Sequence, residues 1–159
     1  TVGRHKDQRF GTHHAKDVNR LFATLDDLDL NVFSSAIKIP TQYMHIVQFR
    51  IKLNRRMQMN EVVQRIKDNP LIATTEKLDT GTAFSFARDH SPICGRILNQ
   101  AIVPLSTLHT EGRQIMGYSF TPQDGNSLLS SVVATEKFLY PDTYKEKIQC
   151  LGGLVFEEV

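Results

Sequence analysis

Hydrophobic positions along the chain change period several times, and each change predicts an element. Ala15, Val18, Leu21, Phe22 and Leu25 recur at helical spacing and predict a one-sided helix. The period then shortens. Asn31 to Ile39, closed by Pro40, is expected to be a strand. Val47, Phe49, Ile51 and Leu53 alternate with Gln48, Arg50 and Lys52, the clearest signal in the chain. It predicts a strand with one buried and one wet face, so that aspartate at Phe49 or Ile51 is expected to unfold the domain. Asn60 is suited to cap a helix through Val62, Val63, Ile66 and Lys67 that stops before Pro70. Leu71 to Thr75 is a short strand candidate, Gly81 to Asp89 a helix, and Ala101–Val103 and Gln114 to Phe120 two further strands. Ser127 is placed to cap a helix carrying Leu128, Leu129, Val132, Val133, Phe138 and Leu139. A last short helix, Asp142 to Cys150, precedes Gly152-Gly153, with Cys150 expected in the core.

Strands and helices do not alternate strictly, which disfavours a parallel doubly wound sheet. The expected fold is α+β: an antiparallel or mixed sheet with helices on one face. Clean alternation in one strand fits a sheet with one side open, and an open apolar face predicts self-association into a homo-oligomer through the sheet. No repeat, low-complexity tract or linker divides residues 1–159, so one domain is expected.

Composition narrows the class. The 159 residues are 40% hydrophobic and 23% charged, with a formal net charge of +2, which excludes intrinsic disorder. Apolar runs are too short for a membrane span, and no apolar signal segment opens the sequence, so a cytoplasmic location is expected. Two cysteines without a CxxC pattern fit neither a disulfide scaffold nor a zinc ribbon, and no metal site is expected. The small net charge and the absence of an RNA-binding motif disfavour nucleic acid as the partner of Arg50, Lys52, Arg55 and Arg56.

Candidate chemistry gathers in three places. The first twenty residues carry Arg4, Lys6, Arg9, Lys16 and Arg20 against Asp7 and Asp17, with His5, His13 and His14 among them. This is either a solvated terminus or an anion site. His13 and His14 stand before a helix, where ring donors and free backbone N–H groups serve an anion. His45 opens the alternating strand after a Pro-bounded turn, a position suited to proton transfer near neutral pH or to an imidazole with no role. Cys94, near Arg96, is a packed or exposed thiol unless a base lowers its pKa. Gln123-Asp124-Gly125-Asn126 is an ordinary polar turn or a loop offering amides to a ligand. No GxGxxG and no P-loop occurs.

Two stretches add a resemblance. Thr12-His13-His14-Ala15-Lys16-Asp17-Val18 is similar to a Ser-His-His-Gly-Pro-Asp-Val motif, and Lys38-Ile39-Pro40-Thr41-Gln42-Tyr43-Met44-His45 is similar to Val-Pro-Thr-Thr-Leu-Met-His. With their spacing, both resemble the archaeal-type (type II) glyceraldehyde-3-phosphate dehydrogenases. Phe86-Ala87-Arg88-Asp89, the turn at Gln123 and the Cys150–Leu154 ending fall where that family has a helix, a Gln-Glu-Ser turn and a Ser-Leu-Gly-Ile ending. The resemblance is to the C-terminal catalytic domain, which also builds the oligomer, and not to the Rossmann domain that binds NAD or NADP.

The resemblance implies roles. His45 would activate a cysteine thiol and carry its proton. His13, His14 and Thr41 would contact the triose phosphate, and Gln123 and Arg4 the cofactor side. In such enzymes a thiolate adds to the aldehyde, hydride passes to nicotinamide, and inorganic phosphate releases the acyl group. The family's Ser-Cys-Asn-Thr-Thr nucleophile motif does not occur in this sequence. Ala15 and Lys16 replace Gly and Pro, and Gln42 replaces the second Thr. The expectation is therefore the catalytic-domain part of an NAD(P)-dependent phosphorylating dehydrogenase, inactive alone. The alternative is a non-catalytic anion-binding or assembly module derived from that domain. His45 and the His13–His14 pair are expected on one rim of the sheet, and a membrane partner is not expected.

Overall fold

A computed structural model of the chain describes residues 1–41, 44–90, 99–123 and 126–159. The chain divides into two compact units, Thr1–Pro40 and Thr41–Val159.

The first unit holds helix α1, His13–Asp26, begun by Thr12 in extended conformation and ended by Asp27 in the left-handed region at φ 52°. Among its described side chains Ala15 and Asn19 are buried, while Val18, Leu21 and Phe22 are exposed. Of the apolar stripe read from the sequence, Ala15 is thus buried and its next three positions are not. Asn19 instead works as a polar clasp: its Oδ1 accepts the Leu30 N–H at 2.6 Å and its Nδ2 donates to Asp29 at 3.2 Å.

Asn31 to Ile39 does not form the expected strand. It makes only isolated bridges, Ser34 to Gly11 and Ile37 to Val2. The reason lies in its partner. The segment alternates, but its inward positions include the small Ser34 and Ala36, and it lies along the irregular first eleven residues, which supply no continuous ladder. Phe33 and Ile37 point out, 56% and 69% exposed.

The second unit is a mixed sheet with helices, the expected α+β class. Its strands are β1, Met44–Lys52; β2, Ile72–Thr75; β3, Ala101–Pro104; β4, His109–Glu111; and β5, Gln114–Pro122. The order is β1-β5-β3-β2, with β4 also paired to β5. β2 and β3 run parallel; the other pairs are antiparallel. The parallel pair needs a crossover, and helix α3, Thr80–His90, lies between its strands in sequence. Asp79 caps α3, its Oδ1 accepting the Thr82 N–H at 2.7 Å and the Thr82 hydroxyl at 2.9 Å. The core is the α3 side of the sheet: Met44, Ala73, Ile102 and Phe120 under Ala83 and Ala87, closed by Val159. Two alanines let the helix approach closely, and Phe84, Phe86 and Phe156 pack around them.

Helix α2, Met59–Lys67, begins one residue before Asn60, so Gln58 takes the cap position. The Glu61 carboxylate reaches back to the Gln58 N–H and also receives a two-point ion pair from Arg55, which holds it below the usual carboxylate range. That pair removes Arg55 from any basic surface. Helix α4, Asn126–Leu139, likewise starts a residue before Ser127, so Ser127 is not its cap. Helix α5, Tyr144–Lys147, is a single turn running into a 3-10 turn at Ile148–Leu154. Cys150 sits on that turn and is exposed, contrary to the expected core position, because neither short element has a buried residue to bring it inward.

The strongest strand signal needs the same correction. β1 forms where expected, but Val47 and Ile51 are 44% and 47% exposed. Only Phe49 is half-buried, lying against the bare Cα of Gly117 across the strand pair. The core side of β1 is the opposite one, anchored by Met44. Ile51, although exposed, stands directly across the pair from the buried Ile115.

Candidate functional site

Within the second unit, antiparallel pairing of β1 with β5 sets one corner of the sheet. Met44 faces Pro122 and His45 faces Thr121. Met44 and Pro122 are both fully buried, so the corner is pinned from behind by the core. His45 is exposed beside this pin, and Gln123, also exposed, is the first residue beyond β5. Thr41 completes the corner: its hydroxyl donates to the Met44 carbonyl at 2.8 Å and fixes the entry to β1. Among the described residues nothing bonds to the His45 ring, which stands open to solvent and to a ligand. Thr41 and His45 thus share one corner with Gln123, which is distant from both in sequence. Gln42, Tyr43, Asp124 and Gly125 around them lie outside the described residues, as do Cys94 and Arg96.

The first unit presents its own cluster. His13 and His14 open α1, both exposed, with ring centroids 4.0 Å apart at an interplanar angle of 33°. A hydroxyl relay holds them. His14 Nδ1 meets Thr12 Oγ1 at 3.2 Å, and Thr12 Oγ1 meets Ser34 Oγ at 2.6 Å. Ser34 Oγ also accepts the Ala15 N–H at 3.2 Å. One N–H of the helix start is thereby satisfied internally. Ser34 is the residue that sequence reasoning missed. Its partner Thr12 is 22 positions away, and serine in a presumed strand carries no local signal.

Charges around the cluster are partly spent. Asp7 accepts the Phe10 and Arg9 N–H groups, which with nearby Lys16 hold its carboxyl below the ordinary value. Lys16, standing where the resembled motif has proline, lies 3.6 Å from Asp7. Arg9 pairs with Asp29. Arg4 is exposed near the start of the unit. Among the described residues no group of three or more His, Cys, Asp or Glu gathers to hold a metal, and no helix is long and apolar enough to cross a membrane.

A family model described as "Glyceraldehyde 3-phosphate dehydrogenase, C-terminal domain" matches residues 10–90, half of the chain. The chain belongs to that family. The match takes in His13, His14, Thr41 and His45, and leaves Arg4 and Gln123 outside it. The chain is also similar to the glyceraldehyde-3-phosphate dehydrogenase of Aeropyrum pernix, 23% identical over 116 residues that make up 71% of this chain. It spans about a third of that relative's length, 32%.

Proposed function

We propose that the chain supplies the catalytic-domain part of an NAD(P)-dependent, phosphorylating glyceraldehyde-3-phosphate dehydrogenase of the archaeal type, in the cytoplasm. The observation that carries this reading is the corner where Thr41, His45 and Gln123 meet, two of them within the family match. His45, exposed on a strand pinned by the core, serves as the proton acceptor for a thiol. A Cys–His pair is the usual route to a thiolate at neutral pH. Thr41, His13 and His14 serve a triose phosphate, and inorganic phosphate is the second small-molecule partner. Gln123 and Arg4 serve the cofactor side.

The described residues fit a contact to the cofactor but not its cradle. Gln123 offers an exposed amide two residues past Thr121, the partner of His45. A dinucleotide pyrophosphate needs a glycine-rich strand-to-helix turn. A Cβ at Gly11 would meet Ser34 and Phe33, and Gly81, in the first turn of α3, follows Asp79, whose carboxylate repels phosphate. No step through the cofactor is derived for this chain.

The reading makes a first prediction. Purified chain is expected to give no turnover of glyceraldehyde 3-phosphate with NAD or NADP, while the His13, His14 and His45 ring signals shift on titration with the triose phosphate in an NMR experiment. Turnover overturns the view that the chain is inactive alone. Unmoved ring signals overturn the assigned binding residues. We also propose that the chain self-associates through its sheet, where Val47 and Ile51 remain exposed.

A further inference from the structure

β2 pairs with β3 on one side, and its other side is covered by residues 157–159 of the same unit. The covering is one parallel rung. The Thr74 N–H donates to the Glu157 carbonyl at 3.0 Å, and the Thr74 carbonyl accepts the Val159 N–H at 2.8 Å. Side chains of the strand reinforce it: the Thr74 hydroxyl donates to the Glu157 carbonyl at 3.1 Å, and the Thr75 hydroxyl to the Val159 carbonyl at 2.5 Å. Just upstream, the buried Gln100 grips both backbone groups of Phe156, accepting its N–H at 2.7 Å and donating to its carbonyl at 2.8 Å. All six bonds end on the backbone of the covering segment, so none of them reads its side chains.

Side chains are read at two positions only. Val159 is 1% exposed and belongs to the core cluster of Met44, Ala73, Ala83, Ala87, Ile102 and Phe120, and Phe156 packs against that cluster. Glu157 and Glu158 between them are exposed. The segment is joined to the rest of the unit by the 3-10 turn Ile148–Leu154, which has no buried residue. Within that turn an added Cβ on Gly152 or Gly153 would meet nothing within 4 Å. The hinge is therefore free of packing, and lifting the segment is a local event.

We infer that the outer side of β2 is a binding site for an extended peptide, of the form aromatic, two free positions, aliphatic, which the chain fills with its own residues 156–159. Main-chain bonds give such a site its affinity, and the two anchor positions give it specificity. The resident segment competes with any peptide supplied from outside. The apparent Kd for that peptide is its intrinsic Kd divided by the fraction of molecules whose segment is lifted. Weakening the resident segment therefore tightens binding of a free peptide, whereas a segment that merely completes the fold leaves no site behind.

The probe is the peptide Val-Phe-Glu-Glu-Val with an N-terminal fluorescein, titrated with the full chain and read by anisotropy. Val159→Ser removes the aliphatic anchor of the resident segment and leaves the site itself unaltered. It is expected to bind the probe at least about tenfold more tightly than the parent, and to gain Tm on adding the peptide. The peptide Val-Ser-Glu-Glu-Ser, without either anchor, is expected not to bind. Should Val159→Ser fail to fold, Glu157→Gly with Glu158→Gly alters exposed positions alone. Its added chain freedom lifts the segment more often, so it is expected to bind the probe several-fold more tightly than the parent. A folded variant that binds the probe no more tightly than the parent, or equal binding of the peptide without anchors, overturns the site.

Discussion

Gly11 shows how one residue position conditions the histidine cluster. Its φ is +73°, and a Cβ there would lie 2.2 Å from the Ser34 carbonyl oxygen and 2.8 Å from the Phe33 ring. Neither backbone strain nor overlap has a flexible way out. Gly11→Ala is expected to cost more than about 2 kcal/mol and to loosen the Ser34–Thr12–His14 relay, measured by urea unfolding and by the His13 and His14 ring signals. Asp79 is a second such residue, with an effect read through pH. Accepting the Thr82 N–H, then its hydroxyl, holds its pKa below the ordinary carboxylate value in the folded chain. Its contribution is therefore full above the unfolded value and is lost as pH falls through the folded one. The melting-temperature gap between the parent and Asp79→Ala is expected to stay constant above about pH 5 and to shrink below about pH 4. Thr41, His45 and Gln123 were legible in the sequence as positions, because short motifs carry them. That they meet at one corner follows from pairing across more than seventy residues, which no local pattern contains.

At the scale of elements, periodicity located β1, β2, β3, β5 and the helices, and failed where the outcome depended on a partner. The strand expected at Asn31 to Ile39 lacks a regular neighbour. The apolar positions of α1 and β1 are spaced for burial, but Val18, Leu21, Val47 and Ile51 stay exposed, because spacing fixes a face and only packing covers it. Gln100 marks another such limit. It is buried, donates to the carbonyls of Pro70 at 3.1 Å and Phe156 at 2.8 Å, and accepts the Phe156 N–H at 2.7 Å. A lone glutamine before a strand announces none of this, since Phe156 is 56 residues away. Gln100→Leu strands these three backbone groups in a dry site. It is expected to cost about 2–4 kcal/mol, with faster hydrogen exchange at the Thr74 amide, seen in thermal melts and exchange-resolved NMR.

For the molecule as a whole, the useful division falls after Pro40. Every member of the main core, from Met44 to Val159, belongs to the second unit. Residues 41–159 are therefore expected to fold alone with a cooperative thermal transition and a dispersed NMR spectrum; a molten, poorly dispersed spectrum would show that the core depends on residues 1–40. Composition and element order predicted the α+β class, since both are properties of the whole chain. The division into two units is carried by long-range contacts instead.

The covering of β2 by residues 157–159 has a consequence in time. Thr75 and the carbonyl it donates to are 84 residues apart, and β1 waits for partners in β5 that follow somewhat sooner in the chain. Such non-local closures make a chain slow to fold, because loop entropy is lost before contacts repay it. During synthesis β2 leaves the ribosome well before the segment that shields it, and β1 earlier still. For that interval both strands are bare templates, and chaperone demand is expected to fall once residues 157–159 have emerged.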